Sequence, residues 1–393
     1  MDKVIVENIS LLKERFEGEI LDQLSNRLQY ATDASAYREV PAFVVCPMHK
    51  DDIRELVFFA RRHGLHIIPR AAGTSLAGQV VGDGIVADVS RHMNAILEVN
   101  LEENWVRVEP GVILDELNLY LKPYGLFFGP ETSTSNRCMI GGMLGNNACG
   151  AHSLIYGSTR DHTLAVKAIL SDGSEAEFMS AGKEEFDLKC NGEGLEAEIY
   201  RNISDILRNE ENRRSIRNDY PDPAIKRRNT GYALDLLLNT VPFVEGGESF
   251  NFCKLIAGSE GTLAFIYEIK LNLVPLPPPE KAVMCINCND LRETFRANLI
   301  ALKYKPGAVE LMDHKVLELT KGNLTQQKNR FFVEGDPAAI LIVEFARNSR
   351  EEIIQTAEAM KAEMQQAGYG YHYQLIFGDD IKKVWALRKA GLG

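Results

Sequence analysis

Gly129-Pro130-Glu131-Thr132-Ser133-Thr134-Ser135, followed by Ile140-Gly141-Gly142-Met143-Leu144-Gly145-Asn146-Asn147-Ala148-Cys149-Gly150, is the stretch on which the reading of this chain turns. Glycines and small hydroxyl residues build a poor core, because glycine costs backbone entropy on folding and returns no side-chain burial. Such a segment makes sense where the backbone must come close to something large. A second stretch of the same kind lies upstream, Pro69-Arg70-Ala71-Ala72-Gly73-Thr74-Ser75-Leu76-Ala77-Gly78-Gln79, and a third downstream, Ala257-Gly258-Ser259-Glu260-Gly261-Thr262-Leu263. Three small-residue loops spread along one chain imply a single extended ligand held along its length.

Composition bounds the answer. A length of 393 residues favours two or more domains, and 45% hydrophobic with 25% charged residues is ordinary for a globular protein. A net charge of −11 argues against nucleic-acid binding, which usually shows a basic excess. No run of apolar residues is long enough for a membrane helix, and the N-terminus lacks a signal-peptide core. The expected location is therefore cytoplasmic, with peripheral membrane contact left open. The seven cysteines are odd in number and scattered, which fits reduced thiols better than a disulfide framework. Cys285 and Cys288 form a C-x-x-C, but no second pair or nearby histidine completes a zinc site, so they read as strand residues and no metal is expected.

Periodicity gives the elements. Residues 3–28 have helical spacing, so residues 1–36 are expected to form an N-terminal helical region. Strands are expected at Phe43–Cys46, His66–Pro69, Gly84–Val89, Leu97–Val99, Val106–Val108, Leu164–Leu170, Leu255–Ala257 and Phe265–Val274. Helices are expected at Asp51–His63, stopped by Gly64, and at Val112–Leu121. The proline run Val274-Pro275-Leu276-Pro277-Pro278-Pro279 should stop any regular element, which places a domain boundary between 275 and 276. Beyond it come strand Ala282–Ile286, helix Asp290–Leu302, strand Ala308–Leu311, strand Ala339–Phe345, helix Ser349–Ala367, strand Tyr371–Ile376 and a helix from Asp379 to Ala390. Two successive β-α-β units predict a ferredoxin-like layer of helices on an antiparallel sheet.

In the first loop, consecutive backbone N–H groups and the Thr74 and Ser75 hydroxyls suit a pyrophosphate, since such loops form anion-binding nests. Arg70 is its one charged side chain. Gly82-Asp83-Gly84-Ile85-Val86-Ala87 matches G-x-G-x-x-A, but it runs into a strand-like stretch where a dinucleotide fingerprint needs a helix. That match is rejected, and no Walker A sequence is present.

Four motifs now stand in order: Pro-Arg-x-x-Gly-Thr-Ser at 69–75, Ile-Gly-Gly-Met-x-x-Asn-Asn-Ala-x-Gly at 140–150, Tyr156-Gly157-Ser158-Thr159-Arg160-Asp161, and Gly258-Ser259-Glu260-Gly261-Thr262-Leu263. Together they resemble the FAD-linked oxidases of the vanillyl-alcohol-oxidase, or PCMH-type, fold. Among these the chain looks most like the D-lactate, glycolate and D-2-hydroxyglutarate dehydrogenases, over roughly residues 30–393. The resemblance implies an α+β protein. A PCMH-type FAD-binding domain of two α/β subdomains would occupy 37–275. A ferredoxin-like substrate (cap) domain, incomplete at its C-terminus, would occupy 276–393. Arg70, Ala71, Ala72, Gly73, Thr74, Ser75, Leu76 and Gln79 would wrap the FAD pyrophosphate. Pro130, Glu131, Ser133, Gly141, Gly142, Asn147, Ala148 and Gly150 would line the ribityl chain and flavin, with Gly141 and Gly142 at a helix N-terminus. Tyr156, Gly157 and Asp161 would close the site, and Glu260, Gly261 and Ile266 would contact the cofactor from the third loop. Some relatives attach FAD through a histidine in the first loop; none occurs between Pro69 and Gln79, so the FAD is expected to be non-covalent.

Lys226-Arg227-Arg228-Asn229-Thr230-Gly231-Tyr232 is basic, then small and aromatic. It resembles the Asn-Thr-Gly-Tyr element of the 2-hydroxy-acid dehydrogenases, which implies Arg228, Tyr232 and Lys226 as substrate contacts. Arginine suits a carboxylate because its planar fork binds both oxygens. Trp385-Ala386-Leu387-Arg388 resembles the family's Trp-x-x-Arg and makes Arg388 a second carboxylate candidate. The implied reaction is oxidation of a small D-2-hydroxy acid by hydride transfer to flavin N5. Electrons would pass on to an acceptor such as a quinone, a cytochrome or an iron–sulfur region. Relatives carry a His-x-Gly-x-Gly-Asn-x-His segment, with metal ligands and a base, after the Trp-x-x-Arg helix. These residues contain none, so no catalytic base is named, and a fragment with little turnover is expected. An FAD-fold enzyme of other specificity and a non-catalytic FAD-binding or electron-transfer subunit are the alternatives.

Overall fold

The computed structural model describes residues 9–225, 227–228 and 231–390. The chain divides into two compact units. One joins the residues up to Gly150 to Gly157–Pro275, and the other joins Ala151–Tyr156 to the residues from Leu276 onward.

The first unit contains β1 (Glu19–Leu21), β2 (Phe43–Cys46), β3 (Ile67–Arg70), β4 (Ile85–Asp88), β5 (Ile96–Asn100), β6 (Trp105–Val108), β7 (Leu126–Phe127), β8 (Thr163–Ile169), β9 (Glu175–Met179), β10 (Phe265–Asn272) and β11 (Val274–Pro275). One sheet has the order β1-β2-β4-β3 and a second the order β5-β6-β10-β8-β9. In the first sheet β4 runs parallel to both β2 and β3. Asp88 at the end of β4 accepts from the Tyr30 hydroxyl at 2.7 Å, and every residue of β2 and β4 is buried, as the apolar runs Phe43–Cys46 and Ile85–Ala87 suit strands covered on both faces. This is why Gly82–Ala87 leads into a strand and not a dinucleotide helix. The second sheet is antiparallel throughout.

Helix Lys50–His63 packs on the first sheet through Ile53, Leu56, Val57 and Ala60. Gly64 ends it at φ 64°, a left-handed cap that glycine adopts without a Cβ penalty. Asp52, in its first turn, is buried and accepts from the amides of Glu17 (2.7 Å), Gly18 (3.0 Å) and Met48 (2.8 Å). That carboxylate explains the first departure from expectation. The helical pattern of 3–28 breaks at Gly18, and Glu19–Leu21 pairs antiparallel with β2 before a short helix resumes at Leu24–Gln29. A Cβ on Gly18 would stand 2.1 Å from the Cys46 carbonyl oxygen, so the strand approach depends on glycine.

Two other expectations are corrected. Leu255–Ala257 is not a strand; Cys253–Ile256 is a helical turn, started by the Asn251 side chain accepting from the Cys253 amide at 2.8 Å. A short apolar run does not distinguish the two by itself. The proline run does not stop all regular structure, because Val274–Pro275 pairs with Leu126–Phe127 at a sheet edge that tolerates a missing N–H.

The second unit contains β12 (Glu280–Cys288), β13 (Ala308–Asp313), β14 (Ala339–Arg347) and β15 (His372–Phe377), ordered β13-β14-β12-β15 with every pair antiparallel. This is the ferredoxin-like arrangement. Helices Leu291–Lys303 and Arg350–Gln366 cover one face. Asp290 caps the first of them in a capping box with Glu293. Leu317, Val384 and Leu387, from helices His314–Lys321 and Asp380–Ala390, cover the other face. Helix His314–Lys321 went unanticipated. A spacing of three in a strand sends Cys285 and Cys288 to opposite faces, Cys285 into one core and Cys288 into the other. They cannot share an ion or a disulfide in this fold. Burial pushes the Cys288 thiol up to about 11 and the Cys285 thiol higher still. We expect neither to react with Ellman's reagent at pH 8 until denaturant is added. Rapid labelling of either in the native protein, read by peptide mass, would contradict this placement.

Candidate functional site

The three small-residue loops meet within the first unit around a cavity of about 490 Å³. Its wall includes the whole run Pro69–Ala77 with Gln79, then Thr132–Thr134, Cys138–Met139, Gly141–Met143, Gly145–Asn146, Ala148–Cys149, Arg227, Glu260–Gly261 and Ala264–Ile266. Of the expected cofactor residues, Arg70, Ala71, Ala72, Gly73, Thr74, Ser75, Leu76, Gln79, Ser133, Gly141, Gly142, Ala148, Glu260, Gly261 and Ile266 are on it. Met139, Gly145, Asn146, Cys149 and Arg227 were missed. The first four sit inside or beside a motif already quoted, so helical spacing along 139–149 was the signal that would have found them.

The first loop leaves β3 and is held open from behind. The Arg70 guanidinium donates to the Tyr30 carbonyl (3.2 Å) and the Thr32 carbonyl (2.9 Å) and lies 5.3 Å from the Tyr30 ring centre. Burial lowers its pKa. Gly73, at φ 63°, gives this side chain its room, since a Cβ there would meet the guanidinium at 2.8 Å. Arg70 is therefore a strut for the loop. Among the described residues, the amides of Ala72–Leu76 donate to no protein acceptor. They form a run of unspent donors on the cavity wall, the property an oxyanion needs.

Helix Ile140–Asn146 forms the second wall. Two amides of its first turn are directed to protein carbonyls. The Gly141 amide donates to the Pro110 carbonyl at 2.8 Å and the Ile140 amide to Val112 at 2.9 Å, so those donors are spent on protein. Gly141 instead allows close packing, because a Cβ would meet Pro110 at 2.6 Å. Gly142 and Gly145 keep space clear: their nearest atoms to an added Cβ are Ala71 Cβ at 3.4 Å and Glu260 Cα at 3.7 Å.

The third loop is locked to this helix. Gly258 donates to the Leu144 carbonyl (3.0 Å), and Glu260, at φ 53°, donates to the Gly145 carbonyl (2.9 Å). Its carboxylate accepts from Gln79 Nε2 at 3.2 Å, and Gln79 Oε1 accepts from Ser75 Oγ, so a polar chain ties the first loop to the third. Behind the wall Arg160 is buried. It donates to the Gly231 carbonyl (2.7 Å) and the Ala257 carbonyl (2.5 Å), and its amide donates to Asn147 Oδ1 (2.9 Å). Burial holds its pKa down.

Among the described residues, the remaining expected ones lie off the cavity wall and make these contacts. Asn147 is buried and serves Arg160. Asp161 accepts from Ser158 in a capping box, and Gly157, at φ 66°, packs against that carboxylate. Gly150 packs on Glu131, and Pro130 is buried off the cavity wall. Tyr156 belongs to the second unit, where His152 Nε2 lies 2.7 Å from the buried Glu344. Arg228 is paired to Asp235 at 2.5 Å and donates to the Pro221 carbonyl at 3.2 Å. The Tyr232 hydroxyl is 2.6 Å from Thr262 Oγ1. Lys226 lies outside the described residues. In the second unit both Nε (2.9 Å) and Nη2 (2.7 Å) of Arg388 donate to Glu310 Oε2. His314, Glu318 and Asp336 cluster on the surface of that unit, and Lys321 pairs with both carboxylates. Among the described residues no helix is long and apolar enough to cross a membrane.

Residues 41–178 match the FAD binding domain family, and residues 277–393 match the FAD linked oxidases, C-terminal domain. A D-2-hydroxyglutarate dehydrogenase of Haemophilus influenzae is 36% identical over 401 residues, covering 97% of this chain and 38% of the relative. The glycolate oxidase subunit GlcD of Bacillus subtilis is 26% identical over 299 residues, 75% of this chain and 51% of the relative. The chain thus spans well under two thirds of these relatives' length. An alkyldihydroxyacetonephosphate synthase shares the fold at TM-score 0.65 and 16% identity, over 98% of this chain and 67% of that one. A cavity walled by spare amides and glycines suits a long cofactor carrying phosphates, and with both family domains present, the chain belongs to the FAD-linked oxidases of the PCMH-type fold.

Proposed function

We propose that the chain binds FAD non-covalently in this cavity and serves the oxidation of a small D-2-hydroxy acid, as in the D-2-hydroxyglutarate, D-lactate and glycolate dehydrogenases. The observation that carries the reading is the run of unspent amides at Ala72–Leu76 on the wall shared with Gly142 and Gly145. Those donors would take the pyrophosphate, and the two glycines would leave room for the cofactor's length. Among the described residues no histidine lines the cavity, which supports a non-covalent cofactor. Bound FAD would supply the hydride acceptor. The chain's part is to hold the acid's carboxylate and so fix the hydroxyl-bearing carbon, a proximity effect. Relatives named for D-2-hydroxyglutarate at 32% to 36% identity favour that substrate class. Electrons would leave to a quinone, a cytochrome or an iron–sulfur centre.

The test is anaerobic. Purified protein should be yellow, release FAD on denaturation, and shift its bound-flavin spectrum on binding D-2-hydroxyglutarate, D-lactate or glycolate. A colourless protein that takes up no added FAD defeats the cofactor assignment. A yellow protein whose flavin spectrum none of these acids shifts defeats the substrate assignment and favours an FAD-binding or electron-transfer role.

A further inference from the structure

Resting on that reading and extending it, we propose that Arg227, and not Arg228, holds an anionic oxygen in the cavity. Among the described residues, three charged ones line the wall: Arg70, Arg227 and Glu260. Arg70 is turned back onto the Tyr30 and Thr32 carbonyls, and Glu260 is engaged by Gln79. Arg227 is exposed and, among the described residues, makes no hydrogen bond or ion pair. Its neighbour Arg228 is neutralised by Asp235 at 2.5 Å. Consecutive arginines have thus divided: one braces its own loop, and the other, a residue of the cavity wall, keeps its guanidinium uncommitted.

The loop carrying them is anchored downstream. Tyr220 Oη donates to the Tyr232 carbonyl at 2.7 Å, and Arg160 Nη2 donates to the Gly231 carbonyl at 2.7 Å. A guanidinium offers a planar pair of donors that matches a carboxylate or a phosphate, and it keeps its charge at any working pH. Two sources could supply that oxygen, the dinucleotide's phosphate or the hydroxy acid's carboxylate.

Arg227→Gln and Arg227→Lys separate them. FAD affinity is read by fluorescence titration of the apoprotein. Acid affinity is read from the shift in the bound flavin spectrum with D-2-hydroxyglutarate, D-lactate and glycolate. Because Arg227 is exposed and unpaired, the melting temperature should not move. Loss of FAD affinity by about tenfold in the Gln variant, partly restored by Lys, identifies the phosphate. Unchanged FAD affinity with acid affinity weakened by about tenfold identifies the carboxylate. FAD and acid affinities both within about twofold of wild type overturn the proposal, as a change that small is less than one lost charge-assisted hydrogen bond. If none of the acids perturbs the wild-type spectrum, the substrate assignment fails, and FAD affinity alone then decides for or against Arg227.

Discussion

Gly142→Val is expected to leave the protein folded and to weaken FAD binding by about 100-fold, or roughly 2.7 kcal/mol. Gly142 is on the cavity wall, and an added Cβ there meets only Ala71 Cβ, at 3.4 Å. A single carbon is therefore admitted, but the two methyls of valine must extend into the space that a ligand would fill. Helix propensity works in the opposite direction. Valine in a helix is more favourable than glycine by a few tenths of a kcal/mol, so the apoprotein should melt no earlier. Gly142→Ala is the graded control, with a loss of about tenfold or less. Fluorescence titration of apoprotein with FAD measures both. Undiminished affinity in the valine variant would mean that the cofactor does not lie against this helix.

The second large effect belongs to Arg160. Arg160→Leu is expected to lower the unfolding free energy by about 3 kcal/mol. Its side chain supplies two hydrogen bonds, to the Gly231 and Ala257 carbonyls. Bonds from charged donors are worth about 1.5–3 kcal/mol each, net of desolvation. One term runs the other way: Nε is buried and, among the described residues, finds no acceptor, so removing it recovers about 1 kcal/mol. The lost bonds outweigh that gain. Lysine, with one compact ammonium, should recover less than half of the loss. Urea unfolding of the apoprotein decides the matter. A drop under about 1 kcal/mol would show that the three backbone segments hold together without this cation.

Much of this architecture was legible from residue spacing. Phe43–Cys46 and Ile85–Ala87 are short apolar runs bounded by proline, glycine or a charge, the pattern of a doubly covered strand, and both lie in such strands. The two β-α-β units beyond Pro279 were legible because helices Leu291–Lys303 and Arg350–Gln366 each begin at a capping residue, Asp290 or Ser349, whereas helix His314–Lys321 was not read. What failed depended on contacts between distant segments. Gly18 breaks the N-terminal helix because Asp52, on another element, collects its amide. The Gly141 amide is spent on the Pro110 carbonyl, a contact that spacing along the helix does not reveal. Site residues divided in the same way. Backbone-lining positions such as Gly73 and Gly142 could be named because small residues announce a close approach. Side-chain roles could not: Arg70, Asn147, Arg228 and Arg388 are all polar residues whose partners lie elsewhere in the chain.

The short stretch Ala151–Tyr156 has a consequence for anyone dividing this molecule. It is bracketed by Gly150 and Gly157 of one unit yet counts with the other, where His152 meets a carboxylate that is 4% exposed. A polypeptide begun at Leu276 would carry every strand of its sheet and leave Glu344 without that imidazole. Severing the chain at the prolines therefore does not yield two self-sufficient halves, because the later half borrows a hexapeptide from inside the earlier one.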